Sequence, residues 1–131
     1  MNILDENIVA GQRAQLRKWR IRFSHIGTDI GRQGMKDLTE VVPLLHNSRR
    51  PTFFTHDLGF FHLALCHKNY SLVCLDVSAK ETAVYIRRFL RHPKFRTKKQ
   101  RLGKVILARE RSLSFWEIGN HQRQRLGWLK S

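Results

Sequence analysis

A chain of 131 residues can bury one core without disulfide or metal staples and is too short for a second full domain. Its 25 Lys and Arg against 10 Asp and Glu give a formal charge of +15, which favours a polyanionic partner, nucleic acid first. With no run of about 18 apolar residues and no basic start leading into an apolar stretch, neither a membrane span nor a secretory signal is expected, and cytoplasmic residence follows as the default. Cys66 and Cys74 lack CxxC spacing and read as reduced core thiols. A zinc site from His62, Cys66 and His67 matches no standard ligand spacing.

In chain order, Asn2 to Asp5 is an apolar run closing on acids and predicts a first strand, followed by an amphipathic helix from Ile8 to Trp19. Arg22 to Ile26 alternates as a second strand, and residues 27–34 form a glycine-rich loop containing Asp29. Asp37 to Leu45 has helical spacing, with Asp37 placed to cap it and Pro43 expected to kink or shorten it. Thr52 to Thr55 predicts a short third strand that runs into His56 and Asp57. Phe60 to Cys66 reads as an apolar helical segment, Leu72 to Val77 as a buried strand, and Ala79 to Arg91 as a helix. Lys104 to Ala108 and Leu113 to Ile118 close the pattern as a hairpin turning at 110–112.

Strand and helix alternate, which argues for a mostly parallel sheet covered on both faces, with an antiparallel addition at the end. Ligands of such sheets gather at the carboxyl ends of the strands. Asp5 and Glu6 close the first strand and Asp57 the third, while Asp37 and Glu40 share one helical face that leans over the same edge. Carboxylates brought together repel, and staying ionised at neutral pH calls for a counter-charge such as Mg2+ or Mn2+. A carboxylate pocket in a basic body suits phosphodiester cleavage. Each acid also has a structural reading: Asp37 as a cap, Glu40 paired with Lys36, Asp57 holding turn amides.

The run Asn2-Ile3-Leu4-Asp5-Glu6-Asn7-Ile8, the acid at Asp37 and the run Phe54-Thr55-His56-Asp57 before Phe60 resemble the PIN-like superfamily, in particular its small stand-alone branch related to toxin ribonucleases of toxin–antitoxin pairs. The closing segments 103–108 and 113–118 fit the strand pair that ends such domains. The resemblance implies a three-layer α/β sandwich over residues 1–118, with a mostly parallel central sheet and a C-terminal strand pair, followed by a basic tail at 119–131. It further implies a metal-dependent endoribonuclease in which Asp5, Asp37 and Asp57 hold Mg2+ or Mn2+ and act in catalysis, with Glu6 and Glu40 as helpers. One position departs: the branch has a second acid two residues after Asp57, and this chain has Gly59. The departure leaves open a one-metal enzyme or a member that only binds, and Asp76 is a candidate substitute.

Charge is uneven, with a net +3 over residues 1–60 and +9 over 94–131. Lys94, Arg96, Lys98, Lys99, Arg101 and Lys104 form the densest run, expected to be an exposed loop or frayed helix end that draws in RNA. An acidic antitoxin-type protein and a homodimer are the other partners this reading admits. The tail around Trp128 suits RNA or partner docking, or a final packed helix.

Overall fold

Successive side chains of a strand point to opposite faces, so a sheet with two apolar faces must be covered on both. A computed structural model, which describes residues 1–128, shows this arrangement. The strands β1 (Asn2–Leu4), β2 (Ser24–His25), β3 (Thr52–Thr55), β4 (Ser71–Asp76), β5 (Lys104–Arg109), β6 (Ser112–Glu117) and β7 (Asn120–Gly127) form one sheet in the order β2-β1-β3-β4-β5-β6-β7. The pairs from β2 to β5 are parallel, and β6 and β7 are added antiparallel.

Alternation along each strand divides the core in two. Leu4, Phe54, Val73 and Ile106 face the helices α1 (Ala10–Lys18) and α3 (Thr82–Arg91), which pack on each other through a cluster containing Leu16, Ile86 and Phe89. Ile3, Phe53, Leu72 and Val105 face the other way, onto Val41, Leu45 and Phe60. Phe53, Phe54, Phe60, Phe89 and Phe95 are fully buried. Each such side chain contributes roughly 2–3 kcal/mol by leaving water, so these phenylalanines anchor both layers.

The helix expected from Asp37 to Leu45 is split. A π-helical turn, Asp37–Val41, leads into α2 (Val42–His46), with Pro43 in the first positions of the α-helical part, where its missing N–H is not needed. The apolar segment after Asp57 is not a helix. It forms two 3-10 turns, Leu58–Phe60 and Leu63–Leu65, separated by extended backbone at His62. The residues expected to be a separate basic tail from 119 onward are the edge strand β7 through Gly127; residues 129–131 of that tail lie outside the described part. β7 is polar on both faces because it lies at the rim, so no apolar alternation announces it, although Gly119 with φ of 81° supplies the turn before it. Trp128 is tied to the sheet by a hydrogen bond from Nε1 to the Arg109 carbonyl, 2.7 Å, with the Arg88 guanidinium over its ring. No helix among the described residues is long and apolar enough to cross a membrane. Both cysteines are free thiols, and burial pushes Cys74 up to about 12.

The basic run from 94 to 104 is ordered. Thr97 and Gln100 make a reciprocal capping box at α4 (Lys98–Arg101), and Phe95 is stacked on Phe89 in the core. Arg101, expected on the RNA-facing surface, is turned inward instead. Its Nε donates to Thr52 Oγ1 at 2.9 Å and its Nη1 to the carbonyls of Phe95 and Arg96. Removing this guanidinium strands buried acceptors, which costs roughly 2–3 kcal/mol, whereas trimming exposed Lys99 costs under about 0.5 kcal/mol. Urea denaturation of Arg101→Ala and Lys99→Ala is expected to separate the two by that margin, and equal midpoints would return Arg101 to the surface.

Candidate functional site

Parallel order 2-1-3-4-5 reverses direction between β1 and β3, and the carboxyl ends of two such strands frame a crevice. Asp5 follows β1 and Asp57 follows β3, so the register Leu4 to Phe54 sets both acids at this crevice. One threonine connects them. Thr55 Oγ1 donates to Asp5 Oδ2 at 2.5 Å and accepts from the Asp57 amide at 2.9 Å. The other oxygen of Asp5 accepts from the Glu6 amide at 2.8 Å. Asp5 is buried, and burial raises its pKa against the opposing pull of these hydrogen bonds, with Asp57 and Glu6 adding like charge.

Asp37 arrives from the far side of the 27–36 loop. Lys36 rather than Asp37 is the N-cap of the π-helical turn, and the Asp37 carboxyl faces that of Asp57. Two facing carboxylates favour a proton on one of them: Asp37 is pushed up to about 6, chiefly by Asp57 and then by desolvation and the charges of Asp57 and Asp5. Asp57 moves the other way, lowered by the hydrogen bond from Asp37 and by the Gly59 amide, which donates to its Oδ1 at 2.8 Å. Asp5, Asp37 and Asp57, distant in sequence, are thus one electrostatic unit.

Glu6 and Glu40, expected as helpers, are occupied with the loop that presents Asp37. Both carboxylate oxygens of Glu6 accept from the Gly34 amide, at 3.0 and 3.1 Å, and Gly34 has φ of 76°. Glu40 accepts from the Lys36 amide and is paired with Arg32, not with the Lys36 side chain. These two glutamates position Asp37. Asp76, the candidate substitute for the missing acid, forms an exposed ion pair with Arg109 at 3.3 Å. Gly59 lies against Asp57: a Cβ there would be 3.0 Å from Asp57 Oδ1. His56 is a brace, with Nδ1 donating to the Leu75 carbonyl at 3.0 Å and Nε2 2.7 Å from Thr82 Oγ1, so it fastens β3 to the start of α3. Thr55, part of the Phe54-Thr55-His56-Asp57 run, is the residue that joins Asp5 to Asp57, a role its place two residues before Asp57 at the end of a buried strand signals.

The cationic run is not beside these acids. Lys94, Arg96, Lys98 and Lys99 lie between α3 and β5, and Lys104 opens β5, so all five belong to the amino-terminal edge of the parallel strands. The six residues of β4 alone span about 20 Å, which separates the two edges. Among the described residues no group of three or more His, Cys, Asp or Glu side chains is already arranged to hold a metal ion.

Comparison with known proteins finds no matching family model, no matching curated protein and no matching solved structure. The proton on Asp37 has a consequence for stability. With Asp37 raised from 3.8 to about 6, the folded chain holds a proton that the unfolded chain has lost in this interval. Stability therefore falls as pH rises from about 4 through about 6. Depression of Asp57 acts only below that window. Asp37→Asn keeps a donor toward Asp57 without the titration, so its melting temperature should overtake that of the wild type above pH 6, by roughly 3 °C once solvent screening is allowed for. Parallel melting curves for the two proteins from pH 4 to 8 would show the carboxyls to be uncoupled.

Proposed function

We propose that the chain is a metal-dependent endoribonuclease of the PIN-like kind, the toxin type of a toxin–antitoxin pair, with its reaction at Asp5, Asp37 and Asp57. The observation that carries this reading is the meeting of three acids from separate segments at the strand-end crevice of a chain with net charge +15. The donor set suits Mg2+ or Mn2+: all three groups are carboxylates, and a divalent cation would offset their charge above about pH 6, where Asp37 has lost its proton. A bound ion would supply Lewis-acid stabilisation of a phosphorane-like transition state and an acidified water. Glu6 and Glu40 fix the loop bearing Asp37, and Thr55 holds Asp5 and the Asp57 main chain in fixed relation.

On this reading Asp5→Asn and Asp37→Asn abolish Mn2+-dependent cleavage of a structured RNA while the folded protein and its RNA affinity persist; EDTA does the same to the wild type. Cleavage by either variant at the wild-type rate would remove the assignment. Mn2+ added at pH 7.5 is expected to raise the melting temperature of the wild type and to leave Asp37→Asn nearly unmoved.

Gly59 supports a second reading, a domain that binds RNA and does not cut it, because the acid of the resembling branch is absent next to Asp57. Gly59→Asp separates the two. Its backbone is outside the left-handed region, and its Cβ would meet the Asp57 carboxylate at 3.0 Å, so that side chain must shift by a few tenths of an ångström, and a melting curve of the variant accompanies the assay. Cleavage appearing only in Gly59→Asp would favour the binding role for the natural chain, and cleavage already present in the wild type would favour the enzyme.

A further inference from the structure

The charge of this molecule is sorted by sheet edge. Nine of the ten acids, all but Glu117, lie at or beyond the carboxyl ends of the parallel strands. At the amino-terminal edge, segments 17–22, 49–50, 68 and 91–104 hold four, two, one and seven cations, fourteen of the 25, and contain no acid. Glu117, the one acid near this edge, is beside Lys104 at 3.9 Å.

Part of this edge is formed by two adjoining clefts. A cleft of about 530 Å³ is lined by Arg17, Arg20, Arg22 and Phe23, and a second, of about 350 Å³, by Met1, Arg22, Phe23 and Arg101, so Arg22 belongs to both. Lys98 lies against Met1 and extends the surface toward α4. Arg50 enters β3 through Pro51, and Thr52 donates to the Met1 carbonyl.

Two of these arginines hold backbone conformations that favour glycine. Among the described residues the non-glycine positions with positive φ are Arg20, at 62°, and Arg50, at 47°. Arg20 occupies the left-handed position that ends α1, with its amide donating to Arg17 O and the Ile21 amide to Leu16 O, where glycine is the usual residue. Arg50 precedes a proline, which ordinarily pushes a residue to extended backbone. Strain kept at exposed positions, twice and both times with a guanidinium, points to a role outside the fold.

We propose that the amino-terminal edge of the sheet is a docking surface for the sugar-phosphate backbone of a single-stranded polynucleotide, with Arg20, Arg22, Arg50 and Lys98 as its central contacts. A protein partner fits less well, because the core of a protein interface is depleted of charge and needs apolar anchors. Nucleic-acid surfaces are polar and cationic, as here. The surface stands apart from the carboxylates and binds whether or not they cleave.

The test is fluorescence anisotropy with a labelled 20-nucleotide poly(U), in EDTA, from 50 to 300 mM salt. Arg20→Gly with Arg50→Gly is expected to weaken binding about tenfold and to lower the salt slope by about 1.4, the value for two lost phosphate contacts on a single strand, with a level or higher melting temperature. Arg22→Gln with Lys98→Gln, which leaves those backbone positions untouched, should weaken binding comparably. Lys80→Gln with Arg111→Gln, at the acidic edge, should leave Kd within twofold. Unchanged affinity in both amino-edge variants, an equal loss in the acidic-edge control, or tighter binding of polyglutamate than of poly(U) would overturn the proposal.

Discussion

Parallel pairing of β1 with β3 puts the ends of two strands side by side, and in this chain each end runs into an aspartate. Two unit charges about 4 Å apart repel by roughly 4 kcal/mol at an effective dielectric of 20, a large share of what holds a small domain folded. Thr55 is the local answer to that pressure: one hydroxyl stabilises the Asp5 carboxylate as donor and anchors the Asp57 amide as acceptor. Hydrogen bonds to ionised groups are about twice as strong as neutral ones, so Asp5 is held in place despite its burial. Below about pH 6 the remaining repulsion is relieved by the proton on Asp37. A divalent cation would relieve it in the same way at a pH where that proton is gone.

The third acid depends on a loop rather than a strand. Residues 27–36 lie beyond β2, a strand of only two residues, and would have little reason to adopt one conformation without outside contacts. Glu6 supplies one through the Gly34 amide, and Glu40 supplies others through Lys36 and Arg32. Each of these glutamates thus braces the loop that carries an acid of the site. Clustering of carboxylates in such a place does not make each of them a ligand.

Much of this was legible from residue order. Apolar runs at 2–4, 52–55, 71–76 and 104–109 form strands because β-rich segments of that length, buried on both faces, have few alternatives, and acids placed just after them fall at the strand-end crevice. β7 was hidden because an edge strand needs no inward apolar face. Arg101 looked like its neighbours in a basic run, and only the turn of α4 sends it to Thr52 while Lys98 and Lys99 face water. The edge on which that run would lie was also out of reach, since it depends on the direction of α3: the helix starts above the end of β4 and returns the chain to the start of β5.

That return has a consequence for how a polyanion meets the protein. Cations gathered about 20 Å from the carboxylates cannot neutralise them, because at physiological ionic strength exposed charges are screened within about 8 Å. They can still hold a strand whose far part reaches the acids, and about 20 Å corresponds to roughly six nucleotides at 3.4 Å each. Attraction at one edge and repulsion at the other would orient such a strand across the molecule, over the layers that cover the sheet. The segment arriving at Asp5, Asp37 and Asp57 would do so against their negative charge. A cation between acids and phosphate would close that last gap, and the basic edge, standing apart, would bind with or without it.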